Sequence, residues 1–149
     1  MRLSVLFSVM LGAAMLRGVK ISPESRIYEL LADLGPFANP DPRKAQIMLA
    51  HLMTHSSGLD CDDYDDESLG NENTMTTQRE QPDWWKYTLD LRQVHDPGTH
   101  YAYCSAITNL VGGALTKGTG TWLPQLFEET IARPLQFRRY HWPLTPTDE

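Results

Sequence analysis

The chain reads as a mostly α fragment of a larger α/β fold, with few short strands, in preference to an all-helical miniature domain. Three observations predict this. Apolar residues recur at helical spacing in several separate segments. Strand candidates are few and short. The sequence closes on Thr147-Asp148-Glu149 just after a Pro-rich turn, with no hydrophobic segment to complete a sheet. A chain of 149 residues with 41% hydrophobic and 21% charged residues can bury a core as one domain. There is no internal repeat and no low-complexity tract. The formal net charge of −6, with no basic stripe, argues against a nucleic-acid partner.

The elements follow in order. Arg2 and the apolar run Leu3 to Leu16 have the charged start and apolar body of a signal peptide. They fit a buried helix ending at Gly18 equally well, and Arg17, Gly18 and Lys20 offer no small-x-small cleavage site. The run is too short to span a bilayer. Ser22, with Pro23 behind it, is expected to cap a helix carrying Ile27, Leu30, Leu31 and Leu34, with Gly35 as its stop. Pro36 to Pro42 reads as a linker. Ile47, Met48, Leu49, Leu52 and Met53 form the apolar face of a second helix, ending at Ser56-Ser57-Gly58. An acidic, irregular loop runs from Asp60 to about Gln81. Asp83 is a good N-cap for a short helix with Trp84, Trp85 and Tyr87. Residues 106–116 are a small-residue helix in which Gly112 and Gly113 permit close packing. Thr121 opens a last helix through Ala132, closed by Pro134. Arg139 to Trp142 is expected to start a strand.

Several constellations invite chemistry, and most have a plainer reading. His51 and His55, four apart, would share one helix face. Two ligands do not hold a metal, so capping and packing are the expectation, and no metal or other cofactor is expected. The loop Asp60-Cys61-Asp62-Asp63-Tyr64-Asp65-Asp66-Glu67 departs from the EF-hand template at Tyr64 and at its glycine and glutamate, which leaves a solvated acidic loop. Lys117-Gly118-Thr119-Gly120 lacks the strand and spaced glycine of a phosphate loop. It reads as a helix C-cap with a cation at the negative end. Cys61 and Cys104 make no framework. Free buried thiols are preferred to a disulfide, which stays open, and nothing marks Cys104 as an activated partner of His100.

The most informative stretch is Pro97-Gly98-Thr99-His100-Tyr101-Ala102-Tyr103-Cys104-Ser105. A Pro-Gly turn delivers an aromatic, polar segment to the start of an apolar helix. That places the Tyr103 hydroxyl at a cleft edge, where it can relay a proton for a nucleophile if a cation lies near.

Taken with its neighbours, this stretch resembles the serine β-lactamase and penicillin-binding-protein-like hydrolases, in their esterase and 6-aminohexanoate-dimer-hydrolase-like branch. Ala50-His51-Leu52-Met53-Thr54-His55-Ser56-Ser57-Gly58-Leu59 is similar to the family's R-H-L-L-T-x-T-S-G-L signature. Pro97-Gly98-Thr99 through Tyr103-Cys104-Ser105 resembles its P-G and Y-x-N or Y-x-S element. Asn109 to Leu115 follows like N-L-L-G-x-x-L. Arg133-Pro134-Leu135 and Tyr140-His141-Trp142 resemble the region after it. The order holds from about residue 4 to 142.

The resemblance implies a helical subdomain packed on an antiparallel sheet. It implies hydrolysis of a small amide or ester through an acyl-serine, with Tyr103 as proton relay and Ser105 as substrate contact. It also tips residues 1–18 toward a buried helix, with the compartment, cytoplasmic or exported, unassigned. The family's nucleophile and lysine stand in Ser-x-x-Lys, and no serine of this chain has lysine three residues on. The Lys-Thr-Gly-like strand is missing as well. Residues 1–149 are therefore expected to be a partial domain, truncated or degenerate and inactive alone. With its apolar faces short of partners, it should be loosely packed and prone to self-association through residues 4–17. The rival from another class is a non-catalytic binding module that keeps the helical subdomain; an exported acidic cation-binding protein is a third.

Overall fold

The computed structural model describes residues 3–71 and 81–142, with the side chains of residues 3 and 4 left aside. Helices dominate. Helix α1 spans Leu3–Leu16, α2 Ile27–Leu30, α3 Leu49–Met53, α4 Trp84–Asp90, α5 Ser105–Thr119 and α6 Leu123–Phe127. Helix α6 continues into a π-helical turn over Glu128–Ala132, and 3₁₀ turns cover Ala32–Leu34 and Pro42–Gln46. Among the described residues the β-structure consists of two isolated antiparallel bridges, Arg26 with Met48 and Leu59 with Gln93.

Helix α5 is the axis. Ala106, Ile107, Leu110, Val111, Gly112, Gly113, Ala114 and Leu115 are all buried on it, so it is apolar nearly all round, as a central helix must be. It packs against α1, α2, α3, α4 and α6. Its glycines let neighbours in. A Cβ on Gly112 would lie 2.9 Å from Leu123, and one on Gly118 would lie 2.4 Å from Ile21. Gly120 ends it in the left-handed conformation, φ 65°. Lys117 in the last turn reaches Asp33 at 2.7 Å. The cap reading of residues 117–120 describes what this segment does.

Helix α1 is a packed helix of the core. Phe7, Met10, Leu11 and Ala14 are buried, while Val5, Val9, Met15 and Leu16 face out. No helix among the described residues is long and apolar enough to cross a membrane.

Two expected helices are shorter than their periodicity. Ser22 does not cap a long helix: among the described residues its hydroxyl accepts the Glu24 N–H at 3.3 Å, and α2 starts at Ile27. The cause is tertiary, because Arg26 is paired with Met48 and the Ile27 N–H donates to the Ile47 carbonyl at 3.0 Å. The same pairing holds Ile47 and Met48 extended and delays α3 to Leu49. Asp83 caps α4 as expected, accepting the Lys86 N–H at 2.8 Å. Residues 139–142 form neither helix nor strand among the described residues, so the strand expected from Arg139 is not seen there.

The linker between α2 and α3 is anchored by a buried lysine. Lys44 donates to the Ala38 carbonyl at 3.0 Å and to the Leu89 carbonyl at 2.9 Å. Burial pushes its ammonium below the ordinary lysine range.

Candidate functional site

The site is built where residues 55–63 run beside residues 92–105. The contact begins at the end of α3. The helix stops at Met53, and His55 takes a positive φ of 54°. That turn separates His55 from His51, so the two imidazoles do not share a helix face. His51 folds back to accept the Met48 N–H at 3.2 Å and closes its own helix start. His55 faces the other way. Its carbonyl accepts the Ala102 N–H at 3.0 Å and its Nδ1 accepts the Cys104 N–H at 3.4 Å.

Beyond His55 the pairing continues. The Ser56 carbonyl accepts from Gly98 at 2.8 Å, and the Gly58 carbonyl accepts from Val94 at 2.8 Å and His95 at 3.0 Å. Gly58, at φ 76°, allows no side chain here, since a Cβ would fall 2.2 Å from the His95 carbonyl oxygen. Gln93 reinforces the junction by donating to the carbonyls of Ser57 at 2.9 Å and His95 at 2.8 Å. The Ser57-Gly58-Leu59 segment thus has a structural task, which is to seat the chain that leads to Tyr103.

Tyr103-Cys104-Ser105 is then fixed at three consecutive residues. The Tyr103 carbonyl accepts the Asp63 N–H at 2.9 Å. Cys104, the N-cap of α5, is joined in a disulfide to Cys61, and the two Cα atoms are 5.6 Å apart. Asp63 Oδ2 accepts both the Ser105 N–H at 3.0 Å and the Ser105 hydroxyl at 2.8 Å. The expectation of free thiols is corrected: the long-range packing of the 60–71 turns against α5 brings the sulfurs together. A thiol–imidazole pair of Cys104 with His100 is excluded by the same bond, and the His100 ring lies 4.1 Å from that of His95.

The acidic loop is only partly solvated, and it is a framework. The Asp62 side chain accepts the Tyr64 N–H and the Asp65 side chain accepts the Glu67 N–H, at 2.9 and 3.0 Å. Asp60, buried, pairs with Arg92 at 2.8 Å. No cluster of three or more metal-ligating side chains occurs among the described residues.

Tyr103 is 40% exposed and stacks obliquely on His55, with ring centroids 4.8 Å apart. Its hydroxyl has no hydrogen bond to a described residue. Burial holds the His55 imidazole below its ordinary range, opposed by the Asp63 carboxylate. A largely neutral imidazole with an accepting Nδ1 suits the bond from Cys104. Ser105 is half-buried, with its hydroxyl engaged by Asp63. Sequence reasoning singled out Tyr103 and Ser105 but missed Asp63 and the organising role of His55. Asp63 carried no signal of its own inside an acidic run, whereas His55 stood in a recognised motif and could have been found there.

Comparison with known proteins bears on this arrangement. The family described as Beta-lactamase matches residues 6–149. The D-alanyl-D-alanine-carboxypeptidase/endopeptidase AmpH of Escherichia coli (strain K12) is 32% identical over 89 residues, which are 60% of this chain and 22% of that protein. Among solved structures, a D-stereospecific amidohydrolase from Streptomyces superposes with a TM-score of 0.65 at 18% identity, covering 91% of this chain and 41% of that one. Simvastatin synthase (LovD6 mutant) from Aspergillus terreus superposes with a TM-score of 0.60 at 25% identity, covering 90% of this chain and 33% of that one. The chain therefore spans about a fifth of the curated relative's length, 22%, and 33% to 41% of these structures.

Proposed function

This chain belongs to the Beta-lactamase family, and from that membership we propose that it carries the helical part of a serine-hydrolase domain, with one acid–base group and one substrate contact of the site. The parent reaction is hydrolysis of a small amide or ester through an acyl-serine. Tyr103 is the proton relay and Ser105 the substrate contact. The observation that carries this reading is the seating of Tyr103. It stands one residue before the N-cap of α5, with its backbone and both neighbours tied to residues 55–63 and no hydrogen bond from its hydroxyl to a described residue. A fixed ring with a free, accessible hydroxyl is what proton relay requires.

The 149 residues hold no Ser-x-x-Lys, so they supply neither the nucleophile nor the cation that would give the phenol phenolate character. Such groups act as a unit. These 149 residues on their own should therefore not turn over β-lactams or short-chain esters. The second reading, a binding module that keeps the helical subdomain without catalysis, is favoured by this same missing motif.

Grafting decides between them. Residues 6–149 replace the corresponding part of a full-length hydrolase of the Beta-lactamase family, which supplies the remaining parts, and turnover of a small amide is measured. Tyr103→Phe should lower turnover by about 100-fold or more, the usual scale for a positioned acid–base group. Ser105→Ala should lower it less. An unaltered rate for Tyr103→Phe removes the catalytic reading. Turnover by the isolated chain that is lost on changing Ser56, Ser57 or Ser105 to Ala would place the nucleophile elsewhere.

A further inference from the structure

The geometry points to Asp63 as a positioning residue that makes Ser105 a pure hydrogen-bond acceptor toward its ligand, so that the site selects groups presenting an N–H. This rests on the reading of Ser105 as a substrate contact given above.

A serine hydroxyl has one proton to donate and two lone pairs to accept with. Here the proton is spoken for. A carboxylate accepts and does not donate, so the 2.8 Å contact fixes the direction: Ser105 Oγ–H donates to Asp63 Oδ2. The same oxygen takes the Ser105 N–H at 3.0 Å, which holds the carboxylate in register with the first residue of α5. Three features prevent Asp63 from swinging away. Its own N–H is bonded to the Tyr103 carbonyl at 2.9 Å. Cys61, two residues earlier, is bonded to Cys104. Its other oxygen, Oδ1, is buried and has no hydrogen-bond partner among the described residues, so no competing donor pulls the carboxylate from Ser105. Ser105 is only half-buried, and what it offers a ligand is lone pairs. A secondary amide N–H satisfies them. The matching ester sets an oxygen lone pair against them, and an unmatched polar contact is the stronger form of discrimination.

The test uses the whole chain and a matched pair of probes, N-methyl phenylacetamide and methyl phenylacetate, which differ by N–H against O. Binding is read from the shift of the Ser105 backbone amide resonance. The amide should bind about fivefold or more tightly than the ester. Asp63→Ala frees the hydroxyl to donate, and the ratio should fall to about one, as it should in Ser105→Ala. Asp63→Asn keeps an acceptor oxygen at the same place and should retain the preference, a rescue that a merely structural role would not give. Circular dichroism and an intact Cys61–Cys104 bond check the fold, and if Asp63→Ala fails them the Asn and Ser105 variants still decide. Equal binding of both probes to the unaltered chain, or loss of preference in Asp63→Asn, overturns this inference while leaving Ser105 a contact. If neither probe moves the Ser105 signal, the contact role itself is overturned, and this inference with it.

Discussion

Gly113 lies flat against the indole of Trp85: a Cβ built on it would sit 2.6 Å from ring atoms Cδ2 and Cε2. The contact joins α5 to α4 at the centre of the core. No flexible side-chain end is involved, so neither partner can yield cheaply.

Gly113→Ala should therefore destabilise by about 1–3 kcal/mol through overpacking. Gly12 is the control, because it sits inside α1 with nothing within 4 Å of its would-be Cβ. Gly12→Ala should stabilise by about 0.5–1 kcal/mol, the helix preference of alanine over glycine. Urea unfolding midpoints measure both, and a destabilised Gly12→Ala or a neutral Gly113→Ala would contradict the packing described.

The Cys61–Cys104 bond closes a sequence separation of 43. Loop-closure entropy over that length is worth about 4 kcal/mol in the chain-entropy treatment. Reduction, or Cys104→Ala, should lower the thermal midpoint by roughly 10 °C for a chain of this size. Alkylation with mass spectrometry tells whether the thiols were paired, and two free thiols in the oxidised protein would refute the pairing.

Acid should weaken the fold before the carboxylates titrate. Burial depresses both His55 and His51, the latter aided by Arg26. Above an unfolded value of about 6.5 both states are neutral and neither histidine contributes. As pH falls through that value the unfolded chain binds protons first, so stability drops, and it levels off below the depressed folded values. Urea midpoints should fall between about pH 7.5 and pH 5.5. His51→Gln and His55→Gln should each flatten the slope. A midpoint that rises on acidification would have the wrong sign for buried neutral imidazoles.

Helix α1 turns an apolar edge outward, with Val5 at 54%, Val9 at 48%, Met15 at 44% and Leu16 at 91% exposure. Such a contiguous edge promotes association. The chain should show concentration-dependent sedimentation, and Val5→Lys with Val9→Lys should return it to a monomer. A monomer at all concentrations before substitution would dispose of this expectation.

Four motifs in order made the family legible in the residues alone, and several local features were legible there too. Asp83 announced the start of α4, because an N-cap is a contact between near neighbours. The apolar spacing of residues 106–116 announced α5, and the glycines within it announced close packing. Local periodicity and turn chemistry are written in adjacent residues and can be read there. Tertiary packing set where α2 and α3 begin, since the Arg26–Met48 pairing overrides their helical spacing. It alone joined Cys61 to Cys104 and set Asp63 against Ser105, residues 42 apart in the chain. Those contacts depend on how the 60–71 turns dock on the end of α5. Docking is settled by the packing of the whole core, and no short stretch of sequence carries it.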